Sequence, residues 1–100
     1  MKKLTPLQKR VEAGVAYLNV VSPNWEKKID LDKLDLRMKK TCIIGQLEGH
    51  YDVGIEKMGL DGHDRKISNL GFNSLSSPRD YFLALTSAWK NKIKELRKKK

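Results

Sequence analysis

Cys42, His50 and His63 are the side chains of this 100-residue chain that could bind a metal ion or form a nucleophile with its general base. Their spacings of eight and thirteen residues match no compact zinc motif, and a fourth ligand would have to be a carboxylate such as Asp61 or Asp64. A lone cysteine beside two isoleucines is more typical of a small buried residue. We therefore predict a protein without catalytic residues, metal site or cofactor.

Three carboxylates lie close together at Asp30, Asp32 and Asp35 and could attract Mg²⁺ or Ca²⁺. The Asp-x-Asp-x-Asp-Gly loop of calcium sites is absent from the sequence. Aspartates spaced in this way commonly cap helices and stabilise turns by accepting backbone hydrogen bonds. We expect this structural role for them.

Positive charge is concentrated near the end of the chain, and this is the strongest candidate for a binding function. The formal net charge is +9, and residues 78–100 contribute +6 of it through eight Lys or Arg against two acidic residues. Residues 41–77 contribute −2. A basic surface can neutralise phosphates along a duplex or a structured RNA. The candidate nucleic-acid-binding residues are Lys90, Lys94, Arg97, Lys98, Lys99 and Lys100.

Another interpretation of the same residues needs no ligand. Lysines near a helix C-terminus complement the helix dipole and keep a small protein in solution. The basic residues are accompanied by almost no Asn or Gln that could read base edges, so we do not expect base specificity. Phosphate binding and a simply solvated face both remain open at this point.

Helical patterns predominate in the sequence. Thr5, Pro6 and Gln8 form a capping-box pattern, which predicts a helix at about 6–20. A helical pattern resumes at Thr41 and continues past Tyr51, and Gly59 and Gly71 bracket a short helix near Asp64–Leu70. We predict an all-α fold, a compact domain of about four helices with a turn-rich segment at about 22–40. Residues 1–97 would form a single domain, and residues 98–100 a basic tail.

The last predicted helix begins at Ser77-Pro78 and runs to the C-terminus. Its apolar residues share one face, with the basic residues beside them. The residues predicted to face the core are Phe82, Leu85, Trp89, Ile93 and Leu96, with Trp25 covering the same core.

Glycines interrupt the helical pattern that follows Thr41. Gly45 and Gly49 are one turn apart and would leave a groove for another backbone, which predicts close helix packing. The same groove, together with a long amphipathic last helix, would also suit a homodimer.

Several short motifs follow one another along the chain: Trp25-Glu26, Ile29-Asp30-Leu31, Leu34-Asp35-Leu36, Cys42 to Leu47, Leu70-Gly71-Phe72, and Leu85-Thr86 with Trp89. This pattern resembles a family of small, mostly uncharacterised proteins carried by phages and prophages. The resemblance covers about Val11 to Ile93 and implies a small helical protein acting in a bacterial cytoplasm. Small phage proteins often inhibit a host or defence machine, as anti-CRISPR proteins do.

The sequence is therefore consistent with two functions. The first is a non-catalytic accessory protein that binds nucleic acid or a nucleoprotein complex through the basic C-terminal helix. The second is a protein-directed, anti-CRISPR-like inhibitor that binds a host protein through the acidic middle or an exposed apolar patch. Imitation of DNA is disfavoured by the +9 charge. The sequence contains no apolar run long enough for a membrane span, so we expect a cytoplasmic protein without membrane partners.

Overall fold

A computed structural model describes residues 5–72 and 79–98, with the backbone alone described at residues 79 and 80. These residues form six helices joined by turns and contain no β-strand. The helices are α1 (Pro6–Val21), α2 (Trp25–Lys28), α3 (Ile43–Glu48), α4 (Tyr51–Lys57), α5 (Asp64–Asn69) and α6 (Arg79–Lys98). The predicted all-α class is confirmed for this part of the chain, whereas the cap predicted at Ser77-Pro78 lies outside it.

The first helix begins and ends close to its predicted positions because its signals are local. The Thr5 hydroxyl accepts a hydrogen bond from the Gln8 backbone N–H at 3.1 Å, and the Gln8 side chain accepts one from the Thr5 N–H at 2.9 Å. The capping box is therefore confirmed. The helix ends at Val21, just before Ser22 and Pro23.

The count of about four helices is corrected by two local features. One helical turn, α2, lies inside the segment predicted to be turn-rich, and the helix predicted from Thr41 is divided into α3 and α4. Gly49 ends α3 in the left-handed conformation with φ of 89°. His50 then caps α4, since its Nδ1 accepts a hydrogen bond from the Asp52 N–H at 3.2 Å.

The two glycines predicted to pack against a neighbouring backbone behave differently. A methyl group at Gly45 would overlap the Lys39 carbonyl oxygen, so the close approach of another backbone is confirmed there, but that backbone belongs to the turn before α3 and not to a neighbouring helix. A methyl group at Gly49 would meet no atom within 4 Å, so its role is the left-handed turn. The surface beside Gly45 is covered by this chain's own backbone at Lys39 and Lys40, and it therefore does not supply the groove proposed for a homodimer.

The core is centred on three aromatic rings. Trp25 and Trp89 are fully buried and meet edge to face, with ring centroids 5.7 Å apart, and Phe72 stacks on Trp89 at 5.9 Å. The Trp89 indole N–H donates a hydrogen bond to the Gly71 carbonyl at 2.7 Å. The core positions predicted for Trp25 and Trp89 are thus confirmed, and these contacts fix the rotation of α6.

Hydrogen bonds from side chains to the backbone fix the segment between α2 and α3, which is not helical. The Gln46 side chain accepts a hydrogen bond from the Asp30 N–H at 2.6 Å and donates to the carbonyls of Asp30 and Thr41. The Leu36 N–H donates to the Thr86 hydroxyl at 3.0 Å, which lays the segment along α6. Asp30 and Asp35 each accept a backbone N–H two residues ahead, which confirms their turn-forming role.

Candidate nucleic-acid interface

The buried face of α6 determines which of its basic residues face outward. Leu85, Trp89 and Ile93 are each 0 % exposed. Because an α-helix has about 3.6 residues per turn, Lys90 then lies at the edge of the core face and Lys94 lies outside it. Lys90 is partly buried, and Lys94 is exposed.

Lys98 continues the same line, so Lys90, Lys94 and Lys98 follow each other at steps of four residues; we call these three the lysine row. Each step advances about 6 Å along the helix axis. Lys98, which was predicted to belong to a tail, is the last residue of α6 and is exposed. The structure therefore brings three of the six predicted binding residues together, and Lys99 and Lys100 lie outside the described residues.

Arg97 has a structural role that the sequence did not indicate. Its Nε–H and one Nη2–H donate hydrogen bonds to the Glu26 carbonyl at 3.0 and 2.7 Å, and Nη2 also donates to the Ile29 carbonyl at 2.6 Å. The guanidinium therefore joins the last turn of α6 to the end of α2. Its positive charge remains near the lysine row, but two of its three guanidinium nitrogens, Nε and Nη2, donate hydrogen bonds within the chain.

Farther around α6 from Lys90 and Lys94, salt bridges join Lys92 to carboxylates of α1 and of α6 itself. Lys92 forms salt bridges to Glu12 of α1 at 2.6 Å and to Glu95 at 3.6 Å. The hydrogen bond to Glu12 raises the pKa of Lys92, while partial burial opposes that change.

Asp35 lies close enough to the lysine row to respond to its charge. The pKa of Asp35 is lowered chiefly by the hydrogen bond from Arg37, and more weakly by the positive charge of Lys90. Asp35 and Lys90 line a shallow depression of about 300 Å³ beside Leu83 and Thr86. The charge of Lys90 is therefore partly compensated by Asp35.

Two polar residues on this part of α6 were missed by the sequence analysis. Ser87 and Asn91 are both exposed and form an outward ridge with Lys94 and Lys98, at steps of four, three and four residues. The helical spacing around Trp89 predicts that both side chains face outward. Neither is charged, and the predicted binding residues were all basic.

The candidate metal or nucleophile residues Cys42, His50 and His63 each have a structural setting of their own. Cys42 is 2 % exposed, and its sulfur accepts a hydrogen bond from the Gly45 N–H at 3.2 Å at the start of α3. Burial raises the pKa of this thiol, which disfavours the reactive thiolate. His50 caps α4, and His63 precedes α5 as an exposed residue. No cluster of three His, Cys, Asp or Glu side chains suited to a metal occurs within residues 5–72 and 79–98.

Within the described parts of the chain, no helix combines the length and apolar character needed to cross a membrane. Comparisons with protein-family models, with curated proteins and with solved structures found no match.

Proposed function

We propose that this chain is a small, non-catalytic accessory protein of phage or prophage type that binds nucleic acid, or a nucleoprotein complex, through α6 in the bacterial cytoplasm. The observation that supports this proposal is the lysine row. Lys94 and Lys98 are exposed, and no described carboxylate lies within salt-bridge distance of either ammonium group. Two ammonium groups on a rigid helix therefore remain available to an anionic partner, with the partly buried Lys90 beside them.

The affinity of such a surface for nucleic acid would come mainly from counterion release. Each phosphate that a lysine neutralises frees condensed cations, so the observed binding constant falls steeply with salt. Contacts to phosphate position a protein without reading sequence. The net charge of +9 would add long-range attraction and speed the encounter.

The test is a salt titration of binding to a labelled DNA duplex, followed by anisotropy, with a triple variant Lys90→Ala, Lys94→Ala and Lys98→Ala. If all three lysines contact phosphate, the slope of log K against log salt should become shallower by about 2.7. A matched control removes three exposed lysines elsewhere: Lys9→Ala in α1, Lys40→Ala in the segment before α3 and Lys66→Ala in α5. The control loses the same net charge, so an equal effect in both variants would contradict a localised interface.

A protein-directed inhibitor is the second candidate, and exposed apolar residues favour it. Met38 is 56 % exposed and Val53 is 45 % exposed. Their segments are joined by the hydrogen bond from the Tyr51 N–H to the Lys39 carbonyl and by the salt bridge between Lys39 and Asp52. An affinity pull-down from bacterial lysate with and without nuclease separates the candidates. Loss of captured material with nuclease supports nucleic-acid binding, whereas one stoichiometric protein surviving nuclease, lost with Met38→Ser and Val53→Ser, supports the inhibitor.

A further inference from the structure

Helix α2 lies beside the C-terminal end of α6, and two separate contacts fix it there. The Trp25 ring meets the Trp89 ring edge to face, with centroids 5.7 Å apart, and both rings are fully buried. In the last turn of α6, the Arg97 guanidinium donates hydrogen bonds to the carbonyls of Glu26 and Ile29. The two helices are therefore held in one fixed arrangement.

Two lysines lie between the two carbonyls that Arg97 contacts. Lys27 and Lys28 separate Glu26 from Ile29 in the sequence, and both lysines are exposed. The flanking residues are each 3 % exposed, so this turn of α2 presents its lysines to solvent. Because the Glu26 carbonyl is bonded to the Lys27 nitrogen, the Lys27 backbone lies within about 5 Å of the Arg97 guanidinium.

The exposed lysines of α6 lie on the side of that helix to which α2 is joined. Lys94 and Lys98 are about 60° and about 100° around the helix from Arg97, both in the same rotational direction. The Lys92 side chain, which contacts α1, lies in the other direction. The exposed lysines of α2 and α6 therefore border each other near the end of α6.

Neither Lys27 nor Lys28 is used within the described part of the chain. No described carboxylate lies within salt-bridge distance of either ammonium group. The carbonyls at the end of α2 already accept hydrogen bonds from Arg97, so the two lysines are not needed to cap that helix. A helix of one turn also has few peptide dipoles for them to complement. Both charges therefore remain available to an anionic partner.

Carboxylates do not cancel the positive charge of this surface. Residues 25–30 and 90–98 together carry seven Lys or Arg against three acidic residues. Glu26 is buried, so it does not face a ligand in solution. Asp30 accepts a backbone N–H within its own turn, and Glu95 takes part in a salt bridge. The surface formed by α2 and the end of α6 is therefore complementary to a polyanion.

We infer that Lys27 and Lys28 of α2 form one phosphate-binding surface together with Lys94 and Lys98 of α6. The inference rests on the nucleic-acid-binding function proposed above and assigns a second helix to its interface. Four ammonium groups on two helices cover a patch instead of a single line, so they can neutralise more phosphates of a nucleic-acid backbone than α6 alone. Contacts of this kind position the protein without reading base sequence.

The experiment is a salt titration of binding to a labelled DNA duplex and to a labelled RNA duplex, followed by anisotropy. Lys27→Gln combined with Lys28→Gln should weaken binding several-fold. If both lysines contact phosphate, the slope of log K against log salt on DNA should become shallower by about 1.8. The matched control, Lys9→Gln with Lys66→Gln, removes two exposed lysines from α1 and α5 and should leave the slope nearly unchanged. Thermal unfolding of each variant confirms that it is folded.

A conservative variant separates the charge of the two lysines from a structural role. Lys27→Arg combined with Lys28→Arg keeps both positive charges, so its affinity should stay within about twofold of that of the unaltered protein. A loss as large as that of the glutamine variant would overturn the inference, because charge would then not be the cause.

The remaining outcomes distinguish the inference from the function on which it rests. Equal effects of the α2 glutamine variant and its matched control would remove α2 from the interface. The proposed function would still stand if the triple variant of the lysine row gave a shallower slope in the same assay. If the unaltered protein binds neither duplex at low salt, the proposed function fails and the inference fails with it.

Discussion

At the scale of single residues, Arg97 is a charged side chain whose hydrogen bonds position α6 instead of facing a ligand. Its three hydrogen bonds end on carbonyl oxygens of Glu26 and Ile29, which are 71 and 68 residues away in the sequence. Planar guanidinium donors suit this geometry better than a lysine ammonium does. Arg97 therefore holds α6 against α2, while the neighbouring lysines remain free to bind.

Replacing Arg97 by lysine should separate these roles. Arg97→Lys keeps the charge but loses the fork of donors, so we expect the free energy of unfolding to fall by about 1–2 kcal/mol. Urea unfolding measures this change. Lys94→Arg is the matched control at an exposed position and should leave stability within about 0.5 kcal/mol. Equal stability of Arg97→Lys and the unaltered protein would show that the hydrogen bonds contribute little.

Gly14 is a second residue whose size matters. A methyl group there would overlap the Leu70 carbonyl oxygen and lie 2.8 Å from atoms of the Trp89 ring. Although alanine is the better helix former, Gly14→Ala should lower the free energy of unfolding by about 1–3 kcal/mol because the core is overpacked. Chemical denaturation provides the measurement. A stability equal to or above that of the unaltered protein would show that α1 and α6 can separate without cost.

At the scale of elements, local signals were sufficient for α1 and insufficient for the middle of the chain. The capping box at Thr5 and the proline at Pro6 act within one helical turn, so the sequence predicts that helix closely. The division between α3 and α4 was missed because the apolar period continues across Gly49. Likewise, the partners of Arg97 come from a distant turn, and no sequence period contains that information. The positions of Lys90 and Lys94 could be predicted because they depend only on the spacing within α6, whereas Lys98 was assigned to a tail because no sequence signal marks where α6 ends.

The turn between α3 and α4 depends on a glycine in the left-handed conformation. Gly49 has φ of 89°, a conformation that costs most residues about 1–2 kcal/mol. Gly49→Ala should therefore destabilise the protein by about 1 kcal/mol, even though space is available for the methyl group. Gly49→Asn should lose less stability, since asparagine tolerates this conformation. Thermal unfolding compares the two variants, and an asparagine variant less stable than the alanine variant would refute the backbone explanation.

At the scale of the whole molecule, the first and last long helices are joined by charge as well as by packing. Lys92 of α6 reaches Glu12 of α1 at 2.6 Å, and its pKa is raised mainly by that hydrogen bond. A group whose pKa is raised on folding contributes its full stabilisation below its ordinary pKa and loses it as the pH rises through the raised value. The contact between α1 and α6 should therefore weaken only in strongly alkaline solution.

Lys92→Gln tests this dependence. The variant should be less stable than the unaltered protein near about pH 8, and the difference should shrink only as the pH rises above the ordinary lysine pKa of about 10.4 and through the raised pKa of Lys92. Urea unfolding at a series of pH values gives the comparison. Lys94→Gln, which removes a lysine with no salt bridge to a described carboxylate, should show no such convergence. A Lys92→Gln difference that stays constant or grows with pH would rule out the ion pair as its origin.

The placement of both tryptophans in the core has an optical consequence. Trp25 donates its indole N–H to the Asn19 side chain at 2.9 Å, Trp89 donates to the Gly71 carbonyl, and both rings are shielded from water. Their emission should be blue-shifted in the folded protein and move to longer wavelength only when the core opens. A ligand on the outer side of α6 would leave that emission unchanged, so intrinsic fluorescence reports folding independently of binding. Tryptophan emission can therefore show whether each variant is folded in the same sample in which its binding is measured.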